Sequence, residues 1–319
     1  MTPTRSLVES SLLVALAVAL FAAASWIPIA GLAIVFLCPA PLVVLGLSRD
    51  VRQAVVGACA ATFLVALLMG VVSAVFFSLG FAVLGVGLGI LARKFSRGTD
   101  VLLGAVLVSL AGKLLLMVVA TKLTGVNPFS LDPKVLEETA SKVFAFYAAR
   151  GMSPETLGAM RQQMDSMLRS LPVLFPSFLL MAAAVDAWLS YTVSAGVLRR
   201  LGRGTLPPLP RFSQWRFPKN IFWALLASFV LVLLGGREGS PPAILQAGLN
   251  LRLLVQLLFL VQGLAVAWAW LESRGRGRLL KGASMVLVLF VPLLSQVAEI
   301  VGVVDMWWDL RSRMRRDAR

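Results

Sequence analysis

The sequence predicts an all-α, polytopic helical membrane protein with about 8–9 transmembrane segments and an extracytoplasmic amphipathic helical hairpin between segments 5 and 6. Three observations predict it. Of the 319 residues, 59% are hydrophobic and 14% charged, where a soluble domain runs near roughly half apolar and a quarter charged. The apolar residues gather into runs close to the roughly 20 residues that cross a bilayer as a helix. Runs such as Val101–Val119 do not alternate polar and apolar positions as a barrel strand must. The bases behind the net charge of +15 fall in short loops between these runs, which is the positive-inside pattern of a cell (inner) membrane protein and not a nucleic-acid surface.

Segment one runs from about Ser10 to Trp26 and is closed by Pro28. The small residues Ala22–Ser25 would suit a cleavable signal, but the apolar stretch leads straight into further spans, so a retained first helix with a cytoplasmic amino end is the better reading. Segment two, about Leu32 to Leu47, ends at Arg49, Asp50 and Arg52. The 39 uncharged residues Ala54–Ala92 are too long for one span and divide near Gly70–Ser73 into segments three and four. Segment five is Val101–Ala120 and segment six roughly Leu171–Leu198, which completes a six-helix domain over residues 1–200.

The insertion 124–170 is different in kind. Asp132-Pro133 and Ser153-Pro154 each pair a capping residue with proline at the first helical position, and Gly151 stands where the first helix should stop. Apolar residues recur at Leu136, Ala140, Val143 and Tyr147, then at Leu157, Met160, Met164 and Met167, a helical period on both arms. Five acids balance five bases between Thr124 and Arg169, and this lack of positive excess places the hairpin outside the cytoplasm.

Residues 201–219 read as a basic, proline-rich cytoplasmic connector able to lie against anionic lipid head groups. Residues 220–319 supply segment seven (Ile221–Leu234), segment eight (within Ala243–Leu271), a last apolar run from Ala283 to Val304 and a basic tail. One further simple span there would strand the tail's five arginines outside. A re-entrant pair broken at Pro292 and a segment lying at the interface are the two alternatives. Asp305, Asp309 and Arg311 read as interfacial, with Trp307 and Trp308 as belt anchors.

The chain has no histidine, which removes the commonest general base and the commonest metal ligand together. Cys38 and Cys59 are isolated in apolar runs and read as small buried hydrophobes. No GxxxxGK[ST] loop occurs, and Gly80, Gly85, Gly87 and Gly89 follow no strand, so they read as helix-packing glycines and not as a phosphate loop. No catalytic residues, metal site or cofactor are expected, and nucleic acid is not an expected partner.

Charges at membrane depth are costly, about 2.5–3.5 kcal/mol each on insertion scales, so Lys113, Asp186, Arg252 and Glu299 need partners or a wet cavity. Lys113 and Asp186 lie midway along segments five and six. They form a candidate ion pair that is either a structural lock or, with Ser109, Ser190 and Tyr191, a substrate site. Asn250, Arg252, Gln256, Gln262 and Glu299 form a candidate buried polar seam that favours helix packing over a polar ligand. Ser11, Ala15, Ala19 and Ala23 recur every four residues along segment one, a flat strip on which another helix can dock, or ordinary alanine-rich packing.

Several stretches carry a family resemblance: Thr4-Arg5 to Glu9, Leu198–Gly202, Pro210–Lys219, Gln256 to Leu264, and Gly302 to Arg311. On these the chain resembles the YybS-like family of uncharacterised bacterial multi-pass membrane proteins. Its amino-terminal half, with the Ala15, Ala19 and Ala23 strip, is similar to the S components of energy-coupling-factor transporters. That resemblance implies a small-molecule binding or transport subunit whose strip docks a transmembrane coupling subunit with ATPases. The alternative expectation is a scaffold or regulatory membrane protein with no transported substrate, working through the hairpin and the connector.

Overall fold

A computed structural model describes residues 3–27, 31, 34–125, 133–202 and 205–311. Among the described residues every regular element is helical. The chain divides into two units, Met1–Pro172 with Phe178–Leu209, and Val173–Ser177 with Pro210–Arg319. The connector expected as one element over 201–219 is therefore shared, its first half belonging to the first unit and the rest to the second.

The first unit opens with α1 (Pro3–Trp26), α2 (Pro39–Ser48) and α3 (Val51–Met69). The break expected near Gly70–Ser73 falls at Gly70, whose φ of 87° ends α3 and lets α4 (Val71–Phe77) start at once. A π turn, Ser78–Ala82, joins α4 to α5 (Val83–Lys94). There the Leu79 carbonyl oxygen sits 2.5 Å from where a Cβ on Gly112 would lie, so α6 (Gly98–Thr124) approaches backbone to backbone.

Segment two departs from expectation. Within it α2 has only 10 residues, about 15 Å at 1.5 Å per residue, half the roughly 30 Å hydrocarbon thickness. Residues 36–38 are turn before Pro39, and 28–30 and 32–33 lie outside the described residues. Instead of facing lipid, α2 is buried from Pro39 to Gly46. It lies against α5 through glycines: a Cβ on Gly89 would meet the Val43 carbonyl oxygen at 2.5 Å, and one on Gly85 the Pro39 carbonyl oxygen at 2.9 Å. Gly85 and Gly89 thus pack helices, as expected. Gly80 has nothing within 4 Å and plays no such part. Leu42, Leu45, Phe77 and Leu88 fill the core of this unit. Cys38 is buried, but Cys59 faces outward on α3, where an apolar thiol suits lipid as well as core.

After α7 (Pro133–Ala149) the chain turns at Gly151, φ 85°, and enters α8 (Pro154–Leu201). The expected cap is present: Ser153 Oγ accepts from the Thr156 amide at 3.3 Å, with Pro154 at the first position. Phe144 of α7 is buried beneath the Arg161 guanidinium of α8, 5.2 Å from its ring centre. No interruption separates the amphipathic start of α8 from its apolar end. At 48 residues it is about 72 Å long, more than twice a hydrocarbon thickness.

The second unit holds a 3₁₀ turn (Phe212–Gln214), α9 (Ile221–Gly235), α10 (Pro242–Ser273), α11 (Arg278–Phe290) and α12 (Pro292–Trp308). Its core is Val255, Phe259 and Met306. The bend at Pro292 is real, since α11 and α12 meet at 103°. Among the described residues six helices are long and apolar enough to cross a membrane, or seven if the bent pair is one span. Two shorter apolar helices, Pro39–Ser48 and Ile221–Gly235, separate that number from nine.

Candidate functional site

The intramembrane ion pair forms. Ser109 and Lys113 stand one turn apart on α6 and share a face, and both reach Asp186 of α8. Lys113 Nζ donates to Asp186 Oδ2 at 2.7 Å, and Ser109 Oγ donates to the same oxygen at 3.1 Å. Two donors on one carboxylate oxygen hold the negative charge where lipid would otherwise expel it. The pair is not sealed, with the Lys113 side chain 21% and the Asp186 side chain 17% exposed.

Ser190 and Tyr191 part company with this cluster. Ser190, one turn beyond Asp186, is buried, and its hydroxyl has no hydrogen-bond partner among the described residues. Ser194, a further turn on, is in the same condition, so Asp186, Ser190 and Ser194 draw a polar line along α8. Tyr191 lies five positions from Asp186, about 140° around the helix, and so cannot share its face. Its hydroxyl donates instead to the Pro207 carbonyl and holds the first half of the connector to α8. Gly98 completes that seat, since a Cβ there would meet the Pro207 and Pro208 carbonyl oxygens at 2.7 Å.

On α1, Ser11, Ala15 and Ala19 are exposed and Ala23 is half-buried, while Val14, Ala17, Val18 and Phe21 face the core. The small-residue strip is thus left uncovered by its own unit. At the Arg49 end of α2, Glu9 of α1 pairs with Arg49 at 3.1 Å, and the Arg93 guanidinium donates to the Arg49 carbonyl.

The polar residues of α10 do not form one seam. Asn250 enters the backbone of α8: its Oδ1 accepts from the Ser177 amide at 2.9 Å and its Nδ2 donates to the Val173 carbonyl at 2.7 Å. Those two backbone groups are the i, i+4 partners of a helix turn, so the Asn250 amide bridges a turn containing Pro176. The Ser177 hydroxyl also donates to Asn250 Oδ1, at 2.7 Å. Arg252 lies 4.9 Å from the ring centre of Phe229 on α9 and within electrostatic reach of Glu299 on α12. Gln256 is half-buried beside them.

Gln262 serves a separate network. Fully buried, it accepts from the Phe217 amide at 3.2 Å and donates to Asp305 at 3.3 Å. Asp305 pairs with Arg311 at 3.0 Å, their side chains 0% and 4% exposed, and Arg311 also donates to the Ser213 carbonyl at 2.9 Å. Arg216 pairs with Asp309. Burial pulls the Arg311 guanidinium below its ordinary value, and the Asp305 carboxylate counters that pull. Asp305 and Arg311 are therefore interior groups of this unit, because they clasp the connector to the end of α12. Trp307 and Trp308 do face outward. The clasp had a weak signal in the sequence, namely an acid six residues ahead of a base at the end of an apolar helix.

The chain is 21% identical over 319 residues to a Bacillus subtilis (strain 168) protein named "Uncharacterized protein YybS", with 99% of this chain and all of that one covered. No solved structure matches the chain significantly. Residues 15–306 match the family described as "Predicted membrane protein (DUF2232)", and with that match spanning nearly the whole chain, the protein belongs to this family of multi-pass helical membrane proteins.

Proposed function

We propose that the protein is an S-component-like subunit of the bacterial cytoplasmic membrane that binds or transports a small molecule and depends on a separate energising partner. The observation that carries this reading is the Ser109, Lys113 and Asp186 constellation. About a fifth of each charged side chain is open, and the unpartnered Ser190 hydroxyl lies one turn away on α8. A ligand site needs an open side, and this pair keeps one. The uncovered strip of Ser11, Ala15, Ala19 and Ala23 supplies a flat face for a transmembrane coupling subunit bound to ATPases. In this reading the amino end and basic loops are cytoplasmic, the connector lies near anionic lipid, and α7 with the start of α8 forms an extracytoplasmic hairpin.

The test is gentle purification from native membranes with mass spectrometry of co-purifying proteins and metabolites. A coupling subunit with ATPases, or a stoichiometric metabolite lost on Asp186→Asn, is the expected result. Ala15→Trp with Ala19→Trp should lower partner recovery while the chain still folds. A second reading, a scaffold or regulatory protein with no transported substrate, is favoured by the connector, which is tied down at Pro207 and at Ser213. It requires the Asp186→Asn, Lys113→Met double variant to keep full function while neutralising the connector's bases abolishes it.

A further inference from the structure

The carboxy-terminal unit contains a pocket that the reading above does not use. Where α10 ends, a cavity of about 320 Å³ is lined by Arg211, Ser213, Gln214, Glu272, Ser273 and Arg311. That size is at the low end of small-molecule sites, roughly 300–1,000 Å³, and is more than a single ion needs. Part of its wall is rigid, because Arg311 is 4% exposed and is held by Asp305 at 3.0 Å and the Ser213 carbonyl at 2.9 Å. Its mouth carries two exposed charges of opposite sign from different elements, Arg211 on the connector and Glu272 on the last turn of α10. No ion pair within 4 Å joins them among the described residues.

This charge pattern restricts the ligand. A bare anion would meet Glu272, and a bare cation would meet two arginines, so a ligand with both charges a few bonds apart suits the pocket best. Position restricts it further. The apolar helix α10 has 32 residues, about 48 Å at 1.5 Å per residue, which exceeds the roughly 30 Å hydrocarbon thickness, so a crossing by α10 carries its charged end at Glu272 and Ser273 into the head-group region. Phe212 packs edge-on to Trp215 and Trp268, at 5.5 and 5.8 Å between ring centres, forming an aromatic belt beside the pocket. A quaternary ammonium would want an open aromatic face, but Lys281 already stands 5.3 Å from the Trp268 ring centre. A primary ammonium can instead donate directly to a carboxylate.

We infer that this pocket binds a phosphoethanolamine group, its phosphate met by Arg211, the Ser213 hydroxyl and the Gln214 amide, and its ammonium by Glu272. The group can be the head of a phosphatidylethanolamine or a soluble phosphoethanolamine. The site stands on its own residues and does not depend on the Lys113–Asp186 pair.

The test uses the full-length protein in detergent, offered an equimolar mixture of phosphatidylethanolamine, phosphatidylglycerol and phosphatidylcholine. Retained lipid is read by native mass spectrometry, and free phosphoethanolamine is titrated separately. Wild type should retain phosphatidylethanolamine over the other two by about two- to fivefold, the scale of a partly exposed ion pair. Glu272→Gln should abolish that preference without lowering total lipid, and Arg211→Gln should lower retention of all three. Both side chains are exposed, so unchanged melting of the variants confirms that they fold. Saturable binding of free phosphoethanolamine that depends on Glu272 would support the site with a soluble ligand, and lipid retention without it would support the head group. Equal retention of the three lipids with no binding of the free compound, or a preference that survives Glu272→Gln, would overturn the assignment.

Discussion

Where α10 crosses α12 the two backbones touch, and a single added methyl group tests that contact. A Cβ built on Gly263 would lie 1.8 Å from the Ala298 carbonyl oxygen and 2.5 Å from its carbon; one on Gly302 would lie 2.1 Å from the Phe259 carbonyl oxygen. Real Cβ atoms essentially never approach within 3.0 Å, so Gly263→Ala demands that the helices separate by at least about 1.2 Å, a gap that forfeits a quarter to a half of each dispersion contact. The obstacle is backbone, so no rotamer change relieves it. Overpacking of this kind costs about 1–3 kcal/mol. The opening also stretches the neighbouring Gln262–Asp305 hydrogen bond, already 3.3 Å, which adds about 0.5–1.5 kcal/mol. Some 3 kcal/mol in all should lower the melting temperature of the purified protein by about 6 °C or more, at about 2 °C per kcal/mol for a chain of this size. Gly282→Ala on α11 is the control, since nothing lies within 4 Å of its Cβ position. It should be neutral or slightly stabilising, because alanine is the better helix former. Equal melting temperatures for Gly263→Ala and Gly282→Ala would refute the backbone contact.

Three further outcomes are expected. Removing one member of the Lys113–Asp186 pair should destabilise the protein by about 1–3 kcal/mol, below the 3–5 of a fully buried pair because both side chains are partly open, and the double variant Lys113→Met, Asp186→Leu should recover most of it; a thermodynamic cycle with no coupling would remove the pair from the energetics. Arg311→Met strands the buried Asp305 carboxylate and should cost about 3–5 kcal/mol while exposing residues 210–217 to protease; an unchanged cleavage pattern would mean that the clasp does not hold the connector. Asn250→Leu removes the side-chain bonds to the Val173 carbonyl and Ser177 amide, at about 0.5–1.5 kcal/mol each because the two groups remain i, i+4 partners in α8, and faster amide exchange at Ser177 is the corresponding signal.

Features that depend on neighbours in the chain were legible in the sequence. Composition and run length settled a helical membrane protein, because lipid supplies no backbone partners and each span must satisfy its own. Gly70, Pro292 and Ser153-Pro154 marked element boundaries through their own backbone chemistry, and the structure breaks, bends and caps at those residues. Even the Lys113–Asp186 pair was inferable, since two opposite charges at matching depth in lipid have few other options.

The tertiary structure alone decided which polar groups meet. It turned Tyr191 to Pro207 and away from Asp186, because five positions rotate a side chain out of the shared face. It set Asn250 into a turn of α8 and buried Asp305 against Arg311. It also took α2 out of contact with lipid, because glycines on α5 let ten residues pack backbone to backbone. Hydrophobic periodicity states only that a face is apolar, and in a chain that is 59% hydrophobic nearly every face is. The rotation and crossing of each helix, and with them the partner of each buried polar group, follow from steric fit between helices that are far apart in sequence.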